Sequence, residues 1–149
     1  MPRWYFEDFT PGFMLEGAGR TVSEQDIVAF ATQFDPQYFH VDAVAARESL
    51  FGGLCASGWH TAALCMHMMC DAYLLDSASL GSPGIDQLRW LKPVFPGDTL
   101  RFKMTVEQQR PSSSRPHMGS VLAKWEVFNQ RDEPVMTMSG WSMFRKREA

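Results

Sequence analysis

The chain has 149 residues, with 17 acidic side chains against 14 Lys and Arg and a net charge of −3. That balance offers no field for drawing in nucleic acid or an anionic membrane surface. Hydrophobic residues at 45% and charged residues at 21% exclude a disordered chain. A single domain over residues 1–149 is expected, burying roughly two thirds of its unfolded surface without a disulfide or metal staple.

At the amino end, residues 1–8 lack the charged head and apolar run of a secretory signal, so a cytoplasmic protein is expected. Pro11-Gly12 punctuates a first strand over residues 14–22. Ser23 then reads as an N-cap with Asp26 in the first turn, and Ile27, Phe30, Ala31 and Phe34 repeat at helical spacing. Asp35-Pro36 should end that helix, because a residue before proline is pushed out of the helical region. The next residues set the Asp35 carboxylate and the His40 imidazole five positions apart, on a stretch that Pro36 is expected to keep non-helical. Asp42 caps a short predicted helix over residues 43–48, closed by Gly52-Gly53.

Residues 54–75 form an apolar run in which Asp71 carries the only formal charge. As a membrane span it would bury Ser57, His60, Thr61, His67 and Asp71, and no basic cluster flanks it. It reads instead as a long helix inside a protein, with Ser57 as N-cap and Gly58 at its start. A helix apolar on every face needs protein on every face. Cys55, Cys65 and Cys70 are an odd count and are expected as free, buried thiols. His60 and His67 share a helix face, but no zinc spacing accompanies them, so they read as core or interface groups among gap-filling methionines.

The remainder is strand-like. Residues 85–91 are followed by the turn Pro96-Gly97-Asp98, and from Leu100 the chain alternates apolar and polar through Glu107. Residues 121–128 and 135–144 are two further strands joined by a turn over 129–134, and residues 110–117 form the most exposed loop. Short connections predict an antiparallel meander.

A long internal helix followed by such a meander, together with three motifs, resembles the MaoC-like dehydratases, the group that includes the (R)-specific enoyl-CoA hydratases. The motifs are Asp35 and His40 at their spacing, residues 51–58 entering the helix, and Leu91-Lys92-Pro93-Val94-Phe95-Pro96-Gly97-Asp98. Two of the motifs depart from the family pattern. The usual Asn two places after the Asp and Pro three after it are Gln37 and Tyr38, with proline at 36, and the usual His-Gly at the helix start is Ser57-Gly58.

The resemblance implies an α+β hot-dog fold, an antiparallel sheet wrapped around a central helix. It also implies Asp35 and His40 as a catalytic pair, with Gly58, through its N–H, and Ser57 as the oxyanion and substrate-binding residues at the thioester oxygen. The implied substrate is an acyl-CoA or acyl-carrier thioester, with coenzyme A as part of the substrate and neither metal nor redox cofactor. Its phosphates would meet some of Arg89, Lys92, Lys103, Arg110, Arg115 or Lys124. A homodimer with sheets joined edge to edge and no nucleic-acid or membrane partner completes the expectation.

The residue types suit hydration of an α,β-unsaturated thioester. One group must take a proton from water, one must deliver a proton to the α carbon, and a fixed donor must receive the charge gathering on the thioester oxygen. Two other readings stay open: an acyl-CoA thioesterase, and a non-catalytic acyl-thioester-binding subunit in which Asp35 is a turn residue and His40 a structural one.

Overall fold

The structure is a computed structural model that describes residues 1–148. In chain order it forms β1 (Met14–Glu16), β2 (Arg20–Thr21), α1 (Glu24–Phe34), α2 (Tyr38–Val41), α3 (Gly58–Ala72), β3 (Ser79–Gly81), β4 (Asp86–Trp90), β5 (Thr99–Pro111), β6 (Met118–Phe128) and β7 (Pro134–Arg145), with short 3-10 turns between. The sheet runs β1-β5-β6-β7-β3, with β2 also on β5 and β4 also on β7, and every pairing is antiparallel.

The alternation from Leu100 has the expected consequence. Leu100, Phe102, Met104 and Val106 on β5 point inward beside Val121, Ala123, Trp125 and Val127 on β6, and all are buried. Cys65, Met68 and Met69 of α3 join the same core. The Trp125 indole N–H donates to the Tyr73 hydroxyl at 3.1 Å, satisfying the one polar atom such a ring takes inside. At the amino end of α1, Ser23 Oγ accepts the Asp26 N–H as predicted. Asp42 Oδ1 likewise accepts the N–H groups of Val44 and Ala45, although the turn that follows is 3-10, over Ala45–Glu48.

Several expectations are corrected. The first strand is two strands, because residues 17–19 leave the sheet where Gly17 passes Phe102; a Cβ at Gly17 would sit 2.1 Å from the ring. Glycine is the residue that permits that approach. β4 does not hairpin with β5 but crosses to pair with β7, since residues 91–98, with Pro93 and Pro96, form a long crossing instead of a tight turn. β3 escaped notice because three exposed residues carry no alternation.

The central helix is shorter than its apolar run. Residues 54–57 are extended, with the Cys55 N–H donating to Phe39 O and the Ala56 N–H to Val94 O. Nor is α3 enclosed on every side: Trp59 and Met66 are 59% and 43% exposed. The three thiols are free, Cys55 and Cys65 buried and Cys70 partly so. Among the described residues no helix is long and apolar enough to cross a membrane.

Candidate active site

Asp35 ends α1. Its N–H still donates to Ala31 O while its own backbone has left the helical region, at φ −154° and ψ 69°. Pro36 enforces that exit but does not keep the next residues extended. Gln37 becomes an N-cap and Tyr38–Val41 form a single helical turn, contrary to the sequence expectation. Proline constrains the residue before it and leaves the chain after it free to start a helix.

That turn points His40 inward. The ring is buried, and its Nδ1 lies 2.6 Å from Cys55 O, which can only accept, so Nδ1–H is the donor. Because the Cys55 N–H also donates to Phe39 O, the extended entry to α3 is fastened to α2 from both directions. With Nδ1 committed, only Nε2 is left to exchange protons, and it lies 3.5 Å from Asp35 Oδ2.

The carboxylate is held as firmly. Ser57 Oγ donates to Asp35 Oδ2 at 2.8 Å, and Gln37 Nε2 donates to Oδ1 at 2.8 Å. Burial pushes the Asp35 carboxyl up, but the bonds from Gln37 and Ser57 and the nearby His40 outweigh it, so its pKa falls below the ordinary 3.8. Asp35 is therefore an anion at neutral pH. Ser57 caps α3 as expected, accepting the Trp59 N–H at 3.3 Å. Its hydroxyl is fully buried and turned to Asp35, so, contrary to the expectation that Ser57 binds substrate, it does not line the cavity.

Gly58 is the first residue of α3, where an amide has no partner within the helix, and among the described residues its N–H bonds to nothing else. What presses on Gly58 is an indole. A Cβ there would meet Trp90 Cε2 at 2.3 Å and Nε1 at 2.7 Å. Asp35, His40, Gly58 and Trp90 all face one cavity of about 500 Å³, walled also by Phe39, Phe51, Trp59 and Val94. Phe39 stands edge-on to His40 at 4.5 Å between ring centres and to Phe51 at 5.2 Å.

Sequence reasoning missed Gln37, Trp90 and Cys55 as parts of this site. Gln37 was visible only as a departure from a motif, and Trp90 lies in a strand whose facing cannot be read without its pairing.

Of the cations considered for a phosphate, only Lys92 lines this cavity. It pairs with Glu133, whose carboxyl is pulled down to about 2 by hydrogen bonds from Lys92, Arg131 and Asn129. His60 and His67 do not converge. His60 is buried and stacked on Phe30 at 4.7 Å, its Nδ1 unpartnered among the described residues, and burial lowers its pKa. His67 is exposed beside Arg20 and Asp71. Among the described residues no three His, Cys, Asp or Glu side chains gather as a metal site would need.

A family model described as the MaoC like domain matches residues 10–124, most of the chain and every residue of the cavity. The protein belongs to the MaoC-like family. Its sheet and central helix are the hot-dog fold.

A MaoC-like dehydratase from Rhodospirillum rubrum, known from its crystal structure, is 40% identical and superposes with a TM-score of 0.90, covering 97% of this chain and 99% of that one. The YdeM protein of Bacillus subtilis, itself uncharacterised, is 30% identical over 129 residues, 87% of this chain and 90% of its own. A mesaconyl-CoA hydratase of Cereibacter sphaeroides is 43% identical over 65 residues, 44% of this chain but 19% of that longer protein.

Proposed function

We propose that this MaoC-like protein is a hydro-lyase that adds water to an α,β-unsaturated acyl thioester, or removes it from the 3-hydroxy acyl thioester, with acyl-CoA as the substrate. The observation that carries the reading is the 3.5 Å approach of His40 Nε2 to an ionised Asp35 in the cavity that also holds the Gly58 amide. The family and the similarity to a mesaconyl-CoA hydratase support it.

In the hydration direction the thioester oxygen accepts a hydrogen bond from the Gly58 N–H, at the positive end of α3, so charge gathering there meets a donor already in place. Water sits on the cavity side of the pair, hydrogen-bonded to both Asp35 and His40 Nε2. Nε2 takes one of its protons as the oxygen bonds to the β carbon, and the double-bond electrons move toward the thioester. The imidazolium formed is stabilised by the Asp35 carboxylate and returns that proton to the α carbon. The elements of water are then added across the double bond and the ring is neutral again. Ser57 and Gln37 keep Asp35 charged and oriented, and Cys55 O keeps the ring in the tautomer that leaves Nε2 free. Neither a metal nor a redox cofactor enters these steps.

The working unit in this reading is a homodimer. Trp59 on α3 is exposed and also lines the cavity, so a second copy seated on it would cover part of the cavity's wall.

The test follows loss of the conjugated double bond of crotonyl-CoA and of a branched enoyl-CoA. The wild type is expected to hydrate at least one, and Asp35→Asn and His40→Gln are each expected to lose about 10²- to 10⁴-fold in kcat. Full turnover in both folded variants sinks the assignment of the pair. Release of free thiol in place of hydration would make the protein a thioesterase. Binding without turnover, indifferent to Asp35→Asn, would make it a binding subunit.

A further inference from the structure

The pairing of β4 with β7 contains one irregularity, and it lies next to the cavity. Asp86 faces Ser139 and Arg89 faces Thr137, so β4 spends three steps where β7 spends two, and Trp90 then faces Met136. Residues directly opposite in an antiparallel pair share a face. Ser139 and Thr137 lie on the outer face of β7, alternating with the buried Met136 and Met138.

In a regular strand Asp86, Leu88 and Trp90 would share that outer face. The extra residue moves Trp90 to the inner one, beside Met136. Gln87 takes the strain, with φ at +53°, and its side-chain oxygen accepts a hydrogen bond from Arg89 Nη2 at 3.2 Å.

Three further observations concern where the indole lands. It rests on Gly58, a position at which any Cβ would collide with the ring. It stands edge-on to Trp59, 5.1 Å between ring centres at 81°. It also lines the cavity with Asp35 and His40, yet 46% of it is exposed, so part of the ring is left for something else to cover. Bulge, glycine and Trp59 all serve to hold one large ring beside the helix amide.

We propose that Trp90 is the specificity-determining wall of the site, limiting the acyl group to short chains by standing beside the path from the Gly58 amide to the Asp35–His40 pair. The inference rests on the acyl-thioester reading of the cavity. A thioester whose oxygen is on Gly58 has its α and β carbons alongside the indole. A four-carbon acyl group needs little room beyond the catalytic pair, whereas an eight-carbon one needs more of a cavity of about 500 Å³ that the indole, one of the two largest side chains in its wall, restricts.

The experiment compares wild type, Trp90→Ala and Trp90→Phe with C4 and C8 partners. Calorimetry reads binding of butyryl-CoA and octanoyl-CoA, and kcat/KM is taken with crotonyl-CoA and trans-2-octenoyl-CoA. The wild type is expected to favour C4. Trp90→Ala is expected to shift the C8:C4 ratio toward C8 by about tenfold or more in both measurements, a size consistent with the loss of several pocket contacts. Trp90→Phe, which keeps a ring and the fold around Gly58, should shift it in the same direction by about threefold.

A C8:C4 ratio within about twofold of wild type in a folded Trp90→Ala or Trp90→Phe overturns the proposal on its own. Should the wild type bind both CoA esters but hydrate neither enoyl-CoA, the hydratase reading falls while the binding ratio still decides on Trp90. No binding of either ester by the wild type overturns both together.

Discussion

The three long strands and the segment from Asp35 to Gly58 are built on opposite principles. In β5, β6 and β7 the same information is written many times over: alternate residues are apolar, each inward side chain has neighbours on both adjoining strands, and the loss of one contact leaves the register intact. Between Asp35 and Gly58 each functional group is held by only one or two bonds. One carbonyl fixes the His40 tautomer, one hydroxyl and one amide hold Asp35, and one glycine admits Trp90. A redundant sheet tolerates change but answers large deletions with loss of stability. A segment held by so few bonds should answer small changes with loss of activity.

The largest effects expected test that division from its two ends. Asp35→Asn and His40→Gln should cost about 10²- to 10⁴-fold in kcat while lowering stability by only about 1–2 kcal/mol. Phe102→Ala should do the reverse. Its ring is fully buried and packed on Gly17, so the lost transfer energy and the cavity left behind should lower stability by about 3–5 kcal/mol in chemical unfolding. At temperatures where the variant stays folded, kcat should be near wild type. An inactive but stable Phe102→Ala would break the comparison.

Gly58→Ala should fall between the two classes. The amide remains, but the new methyl occupies the place of the indole, so the ring must move or the start of α3 must. Overpacking of this kind costs about 1–3 kcal/mol. The sharper readout is tryptophan fluorescence. Trp90 leaving Gly58 should change the emission, and Trp90→Phe should remove most of that change.

What could be read from the sequence follows the same line. β5 was legible because Leu100, Phe102, Met104 and Val106 repeat a signal that any two of them would carry. The Ser23 cap, the end of α1 at Asp35 and the Ser57 cap were legible because each rests on local chemistry between residues no more than three apart. The Asp35–His40 pair could be picked out by type and spacing, but the α2 turn that joins it could not, since Pro36 speaks only for the residue before it. The facing of Trp90 was out of reach for a different reason. It depends on one extra residue in the pairing of β4 with β7, and the partner strand lies some fifty residues away. Long-range register of that kind leaves no local trace.

Ser57→Ala should give the smallest and most diagnostic effect. Ser57 donates to Asp35 Oδ2, and this bond is among the causes that bring the Asp35 carboxyl below its ordinary 3.8. Without it the upward push of burial is opposed by less, so the carboxyl pKa must rise. The acid limb of the kcat/KM profile should therefore move to higher pH, with the plateau near neutrality much less affected.

Stability should follow the same sign. A depressed carboxyl pKa contributes stability that is present above the unfolded value and lost as pH falls through the folded one. The stability gap between wild type and Ser57→Ala should be largest at neutral pH, about 1 kcal/mol because water can partly replace the hydroxyl at a carboxylate that is 17% exposed. It should narrow, to what the lost α3 cap alone costs, as the pH drops below the Asp35 pKa of both proteins. A gap that stays constant down to that pH would mean that the hydroxyl serves α3 as a cap and does nothing for the carboxylate. The tie between the helix start and the charge on Asp35 would then be lost, and with it the clearest sign that the 35–58 segment works as one unit.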